Sequence, residues 1–168
     1  MAEAFLRSRV DRWGLDVTVA SAGFLDGGVA PPPEAVAAVA PFGVDTSAHR
    51  SRRCTAADVD GADVVLGMAR SHVREAVVLD AAAWSRAFTL KELVRRGDGF
   101  GPRRADVELD RWLGRLAEGR QRSDVLGSSD TDDVADPIGG PQAAFDATAR
   151  ELATLVDRLV ALVWPPTG

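Results

Sequence analysis

Few residues in this chain have the type and spacing that chemistry needs. The most informative run is Asp133-Val134-Ala135-Asp136-Pro137-Ile138-Gly139-Gly140. Proline biases the residue before it towards an extended backbone, and paired glycines let a ligand or a neighbouring loop come close, so Asp136 is expected to be presented from a loop. The plainer alternative is a turn that merely ends in a helix cap. Cys54 follows Arg50, Arg52 and Arg53, whose charge could grip an anion or lower the thiol pKa; a solvated turn and an incidental thiol are the simpler readings. Gly97-Asp98-Gly99-Phe100-Gly101 imitates a dinucleotide fingerprint, but its third glycine falls one position early, Pro102 follows and no strand leads in, so a loop is expected. Asp130, Asp132 and Asp133 open like a calcium loop, yet Val134 and Ala135 stand where an oxygen ligand and the turn glycine belong. No metal is expected there.

The elements that position these residues must fit within 168 residues, room for one domain spanning 1–168. With 46% apolar and 27% charged residues and no apolar stretch near the roughly 18 needed to cross a bilayer, no membrane association is expected. A net charge of −5 argues against a general nucleic-acid binder, which needs clustered positive charge. Cys54 is the single cysteine, which excludes an internal disulfide, and with only two histidines in the chain a cysteine/histidine zinc site is not expected. Glu3, Arg7, Arg9, Asp11 and Arg12 interrupt any export-type apolar core, so the expected compartment is the cytoplasm. Lys91 is the only lysine among many arginines, the composition of a GC-rich, bacterial genome.

Apolar spacing at Ala2, Phe5, Leu6, Val10 and Trp13 predicts a helix over 2–13, stopped by Gly14 and lacking a Ser, Thr, Asp or Asn cap. Residues 16–22 alternate as a strand, and Gly27 to Pro33 form a loop before a short helix over 34–40. A helix over 55–60 capped by Thr55 leads into a strand over 63–68, whose unbroken Val64-Val65-Leu66 suggests cover on both faces. Helix 71–79, a very short strand at 88–90, helix 91–96 and a helix between 105 and 118 follow. The polar segment 120–133 has little to bury and is expected to be a mobile loop. Pro141 starts the last helix, with Phe145, Ala149, Leu152, Val156, Leu159 and Val163 as its buried stripe and Pro165 and Pro166 as its end. Strands interleaved with helices imply an α/β fold with a largely parallel sheet.

In order along nearly the whole chain, this pattern resembles the low-molecular-weight protein-tyrosine phosphatase family. The matching stretches are Met1 to Arg7, Ser21-Ala22-Gly23, Gly43-Val44-Asp45 with Ser47 to Arg52, Ala62 to Met68, and Asp136-Pro137. Related arsenate reductases share much of it. The resemblance implies a three-layer, phosphatase-I-like α/β fold and hydrolysis of phosphomonoesters on a phosphorylated protein or a small aryl phosphate, without cofactor or metal. It also implies that Asp136 is the general acid that protonates the leaving oxygen, and that Ser21 and His49 hold the phosphate loop in shape. Pro137 and Ile138 would lie beside the substrate. The family often carries an aromatic residue where this chain has Ile138.

The family's nucleophile lies in a Cys-x5-Arg-Ser loop between a first strand and the helix that here begins at Met1, and these 168 residues contain no such loop. Cys54 cannot replace it, because Asp60 stands where the arginine is needed. In the family the first strand lies between those corresponding to 16–22 and 63–68. Without it the neighbours close up, another segment fills in, or the recorded chain starts late. The last is the expectation, with about 15 residues upstream supplying an ordinary strand and the loop, so that the chain as printed is inactive. Two alternatives stay open: a non-catalytic binding or regulatory module, and an arsenate reductase-type protein.

Overall fold

The chain begins in a helix because Phe5 and Val10 fall on one face and are buried, and because Gly14 ends the turn in a left-handed conformation that only glycine enters cheaply. This is α1, Ala2–Trp13, and its first turn has no side-chain cap. The computed structural model describes residues 1–165. Pro166, expected to help end the last helix, lies outside the described residues. The others form α2 (Pro33–Val39), α3 (Ala56–Asp60), β1 (Val65–Gly67), α4 (Arg70–Leu79), β2 (Ala87–Thr89), α5 (Leu90–Phe100), α6 (Leu109–Ala117) and α7 (Gln142–Val163), with short 3₁₀ turns between some of them. The α/β class holds, and the fold is rich in helix.

The chain divides into two compact units. The first comprises Met1–Arg53 with Ala135–Val160. Its core gathers Phe5, Val10, Ala35, Ala38 and Val39 with the α7 stripe of Phe145, Ala149, Leu152 and Val156. Phe42 meets Phe5 edge to face, ring centroids 5.2 Å apart. Residues 16–22, expected as a strand, do not form one. Burial alternates along them as a strand's would, with Val17, Val19 and Ser21 half-buried and their neighbours exposed, but the only pairing nearby is an isolated parallel bridge between Gly23 and Arg53. A strand exists by its ladder, and side-chain alternation cannot supply backbone partners.

The second unit comprises Cys54–Val134 with the described residues from Ala161 to Pro165. Thr55 caps α3 through a reciprocal capping box with Asp58. The strands β1 and β2 pair in parallel, Val65 opposite Ala87 and Gly67 opposite Thr89, with α4 as the crossover. Here two expectations are overturned. The glycine run 97–101 is not a loop: α5 continues through Phe100 and stops only at Gly101. The reason is packing, since a Cβ at Gly97 would lie 2.8 Å from Leu162 Cδ1, so the missing side chain lets the helix approach.

The segment 120–133, expected to be mobile, is anchored at both ends by buried charge. Arg120, its side chain wholly buried, pairs with Glu92 at 2.8 Å, and its guanidinium lies 4.2 Å from the ring centroids of both Trp84 and Phe88. At the far end Asp132 receives Arg70 at 2.7 Å and Arg95 at 2.8 Å. Asp133 accepts the Arg70 amide at the start of α4, 2.7 Å, and the Ser129 amide, 2.9 Å. Polar composition suggested nothing to bury, but paired charges can be buried when every oxygen finds a donor.

Burial alone would push the Asp132 carboxyl up; the hydrogen bonds and charges of Arg95 and Arg70 win and hold it below the usual carboxylate range. A carboxylate whose folded pKa is depressed contributes stability above its unfolded value, near pH 4, and loses it as pH falls through the folded value. Asp132→Asn is therefore expected to lower stability at pH 7 by about 2 kcal/mol and to flatten the acid limb below about pH 4. Urea midpoints between pH 7 and pH 3 check this; parallel curves for the two proteins would contradict it.

Candidate active site

In the first unit, three segments converge on one carboxylate that the sequence reading passed over. Glu3 sits in the uncapped first turn of α1, where the positive end of the helix dipole favours an acidic side chain. Its Oε2 accepts a short hydrogen bond from Ser21 Oγ and lies 3.5 Å from His49 Nδ1. Its Oε1 pairs with Arg7 at 2.5 Å, one helical turn on, and Arg7 also donates to the Val19 carbonyl at 2.9 Å. Only 16% of the Glu3 side chain is exposed, against 39% for His49, so the carboxylate is shielded while the imidazole stays open to a ligand. The structure thus brings Ser21 and His49 together through Glu3. The available signal was an acidic residue in the first turn of a helix without a cap.

His49 is presented by a turn built from local hydrogen bonds. Asp45 accepts from the Ser47 amide at 2.8 Å and the Ser47 hydroxyl at 3.0 Å, and these two donors hold its carboxyl below the ordinary range. The His49 amide closes onto the Thr46 carbonyl at 3.0 Å. Arg50 ties the same turn from outside, donating to the carbonyls of Ser47 and His49 at 3.1 and 2.6 Å. The basic run thus begins as a structural staple. Beyond it, Ser51 pairs its backbone with Val29, and Gly27 approaches so closely that an added Cβ would be 3.0 Å from Arg52 Cα and from the Ser51 oxygen. A larger residue there would push the two loops apart.

Within that turn, Thr46 Oγ1 is buried with no hydrogen-bond partner among the described residues. An unsatisfied buried hydroxyl is destabilising, and an isosteric apolar side chain removes the penalty. Thr46→Val is expected to raise the stability of this chain by about 1 kcal/mol, read from its thermal midpoint. A lower midpoint would show that the hydroxyl has a partner in solution.

Asp136 is exposed, as a loop residue, and its Oδ1 accepts from the Ile138 amide at 3.1 Å. That contact restrains the carboxyl's rotation through Oδ1. Gly139, at φ +80°, and the Gly140 amide bonded to the Pro137 carbonyl complete the turn into α7. Pro141 precedes the first helical residue, Gln142. No hydrogen bond or ion pair joins Asp136 to the Glu3 group among the described residues. Ile138 is 67% exposed, an aliphatic surface beside the carboxyl.

Cys54 lies in the second unit, its thiol 3.8 Å from the Thr55 carbonyl at the cap of α3, a setting without a strand-to-helix turn. Among the described residues no three His, Cys, Asp or Glu side chains gather as a metal cluster, and no helix is long and apolar enough to cross a membrane. Asp132 and Asp133, part of the calcium-like run, are committed to arginine and to backbone amides.

Comparison with known proteins gives the family and the fold. Residues 1–101 match the family described as low molecular weight phosphotyrosine protein phosphatase. A protein-arginine-phosphatase from Geobacillus stearothermophilus is 30% identical over 113 residues, 67% of this chain. The chain spans about half, 54%, of that relative's length. Among solved structures, a low molecular weight protein tyrosine phosphatase from T. tengcongensis superposes with a TM-score of 0.69 at 29% identity, over 95% of this chain and 86% of the other. YwlE arginine phosphatase from Geobacillus stearothermophilus gives 0.65 at 28% identity, over 94% and 79%. A YwlE mutant from Bacillus subtilis gives 0.68 at 27%, over 94% and 84%.

Proposed function

Since this chain belongs to the low molecular weight phosphotyrosine protein phosphatase family, we propose that it carries the supporting and proton-donating side of a phosphomonoesterase site. The observation that supports this best is the convergence of Ser21 and His49 on Glu3 in the first turn of α1. Uncapped amides at a helix start suit a phosphate dianion, and side chains gathered on that turn can hold an anion-binding loop against it.

In this reading a thiolate from a Cys-x5-Arg-Ser loop attacks phosphorus, forming the S–P bond as the bond to the leaving atom breaks, P–O in a phosphomonoester and P–N in a phosphoarginine. Asp136 gives its proton to that departing oxygen or nitrogen, and water then cleaves the cysteinyl phosphate to free phosphate and the thiol. The arginine and helix amides lower the thiol pKa enough for attack near neutral pH. Nothing in residues 1–168 can be that nucleophile, so the chain by itself is read as inactive. The 168 residues are read as belonging to a single phosphatase domain. The proposed substrate is a phosphorylated protein. Ile138, exposed where the family often has an aromatic ring, favours phosphoarginine over phosphotyrosine, in line with the arginine phosphatases among the relatives. The proposed setting is the bacterial cytoplasm, consistent with one cysteine and bacterial relatives.

The test compares the 168-residue chain with the same chain joined at Met1 to a strand and Cys-x5-Arg-Ser segment, on phenyl phosphate and on a phosphoarginine peptide. Turnover confined to the joined protein is the expected result. Equal turnover by both would defeat the proposal, and silence from both would favour a binding module. Reduction of arsenate to arsenite at the expense of a thiol reductant, without phosphate release from either substrate, would favour the reductase.

A further inference from the structure

Thr148 stands on the buried stripe of α7, between Phe145 and Ala149, and is itself only 6% exposed. An apolar residue would serve packing there, so its hydroxyl must find a partner or destabilise the unit. The default partner of a helical threonine is the carbonyl four residues back. Thr154 on the same helix, exposed, does that, donating to the Arg150 carbonyl at 3.0 Å. Thr148 does not: its Oγ1 donates to the carbonyl of Ala135 at 3.3 Å, thirteen residues upstream.

Ala135 is the residue before Asp136. From this the geometry points to Thr148 as a positioning residue for the proposed acid, an assignment that rests on the reading of Asp136 given above. The Ala135–Asp136 peptide is held on its carbonyl by a side chain anchored in the core. On the other side, Pro137 restricts the Asp136 backbone to extended conformations. The Ile138 amide then fixes the carboxyl rotation through Oδ1. Three restraints, each of different origin, thus act on the peptide and side chain of Asp136, and Thr148 is the one that no sequence pattern announces. Holding a proton donor within a fraction of an ångström of its target is worth a measurable share of the rate.

Thr148→Val keeps shape and removes the donor, whereas Thr148→Ser keeps the donor. In the 168-residue chain, hydrogen exchange of the Ile138 and Gly140 amides is expected to quicken about fivefold in Thr148→Val while the mid-helix amides of α7 keep their rates. Thr148→Ser and Thr154→Val should match the parent. In the joined protein, Thr148→Val should lower kcat about tenfold on phenyl phosphate and less than about twofold on 2,4-dinitrophenyl phosphate, whose leaving group needs no proton. Thr148→Ser should restore the rate, with KM unchanged throughout. Equal behaviour of the valine and serine variants, uniform acceleration of exchange along α7, or an equal loss on both substrates would each overturn the inference. If Asp136→Asn shows no dependence on the leaving group, the reading of Asp136 fails instead, and the exchange measurement still decides whether Thr148 holds the loop.

Discussion

Asp136→Asn in the joined protein is expected to lower kcat on phenyl phosphate by about 10²- to 10⁴-fold. Asparagine is nearly isosteric and can still accept the Ile138 amide, so the turn that presents the side chain is preserved. What it cannot do is release a proton to a phenolate whose conjugate acid has a pKa near 10. The deficit should shrink steadily as the leaving group becomes more acidic, and nearly vanish for dinitrophenol. A phosphoarginine substrate gives a second arm. Guanidine is a still poorer leaving group when unprotonated, so the loss there should be at least as large. A uniform loss across leaving groups would mean that Asp136 shapes the loop without donating, and an unchanged rate would remove it from the chemistry.

The largest expected effect on stability comes from Arg120→Met, which should destabilise the chain by about 3–5 kcal/mol and lower its thermal midpoint by about 10 °C. Arg120 grips Glu92 with two nitrogens, at 2.8 and 3.1 Å, and donates to the Trp84 and Ala87 carbonyls at 2.7 and 2.8 Å. Burial holds its guanidinium below the ordinary value, with Glu92 opposing that shift. Removing it leaves Glu92 buried with Arg96 alone, at 2.9 Å, and orphans two carbonyls. Most of the cost is the stranded charge rather than the worth of the pair. A second change, Glu92→Leu, should therefore recover about half the loss. If the double variant is less stable than Arg120→Met, the pair contributes more than its burial costs, and this account of the segment 120–133 is wrong.

Much of the fold was legible because it follows from local rules. The helix at 2–13 ended at Gly14, Thr55 capped its helix, and Val64-Val65-Leu66 held most of a strand, since spacing, capping and β-propensity act within a few residues. The misreadings share one cause. Gly97 is helical because Leu162 lies against it, residues 120–133 are anchored because arginines from α4 and α5 reach them, and 16–22 lacks a ladder because pairing depends on another segment. Each depends on a residue distant in sequence, and periodicity carries no information about such partners.

The candidate site divides in the same way. Residue type and order alone determined the family resemblance, the loop character of Asp136, and the absence of any Cys-x5-Arg-Ser from the 168 residues, because those are properties of the string itself. Only the tertiary structure decided that Ser21 and His49 share Glu3, that Thr46 Oγ1 is buried without a partner among the described residues, and that Thr148 turns from its own helix to hold Ala135. A hydrogen bond is made in space over about 3 Å, whereas the residues it joins here stand 13 to 46 positions apart, and no local pattern selects one such partner from the rest.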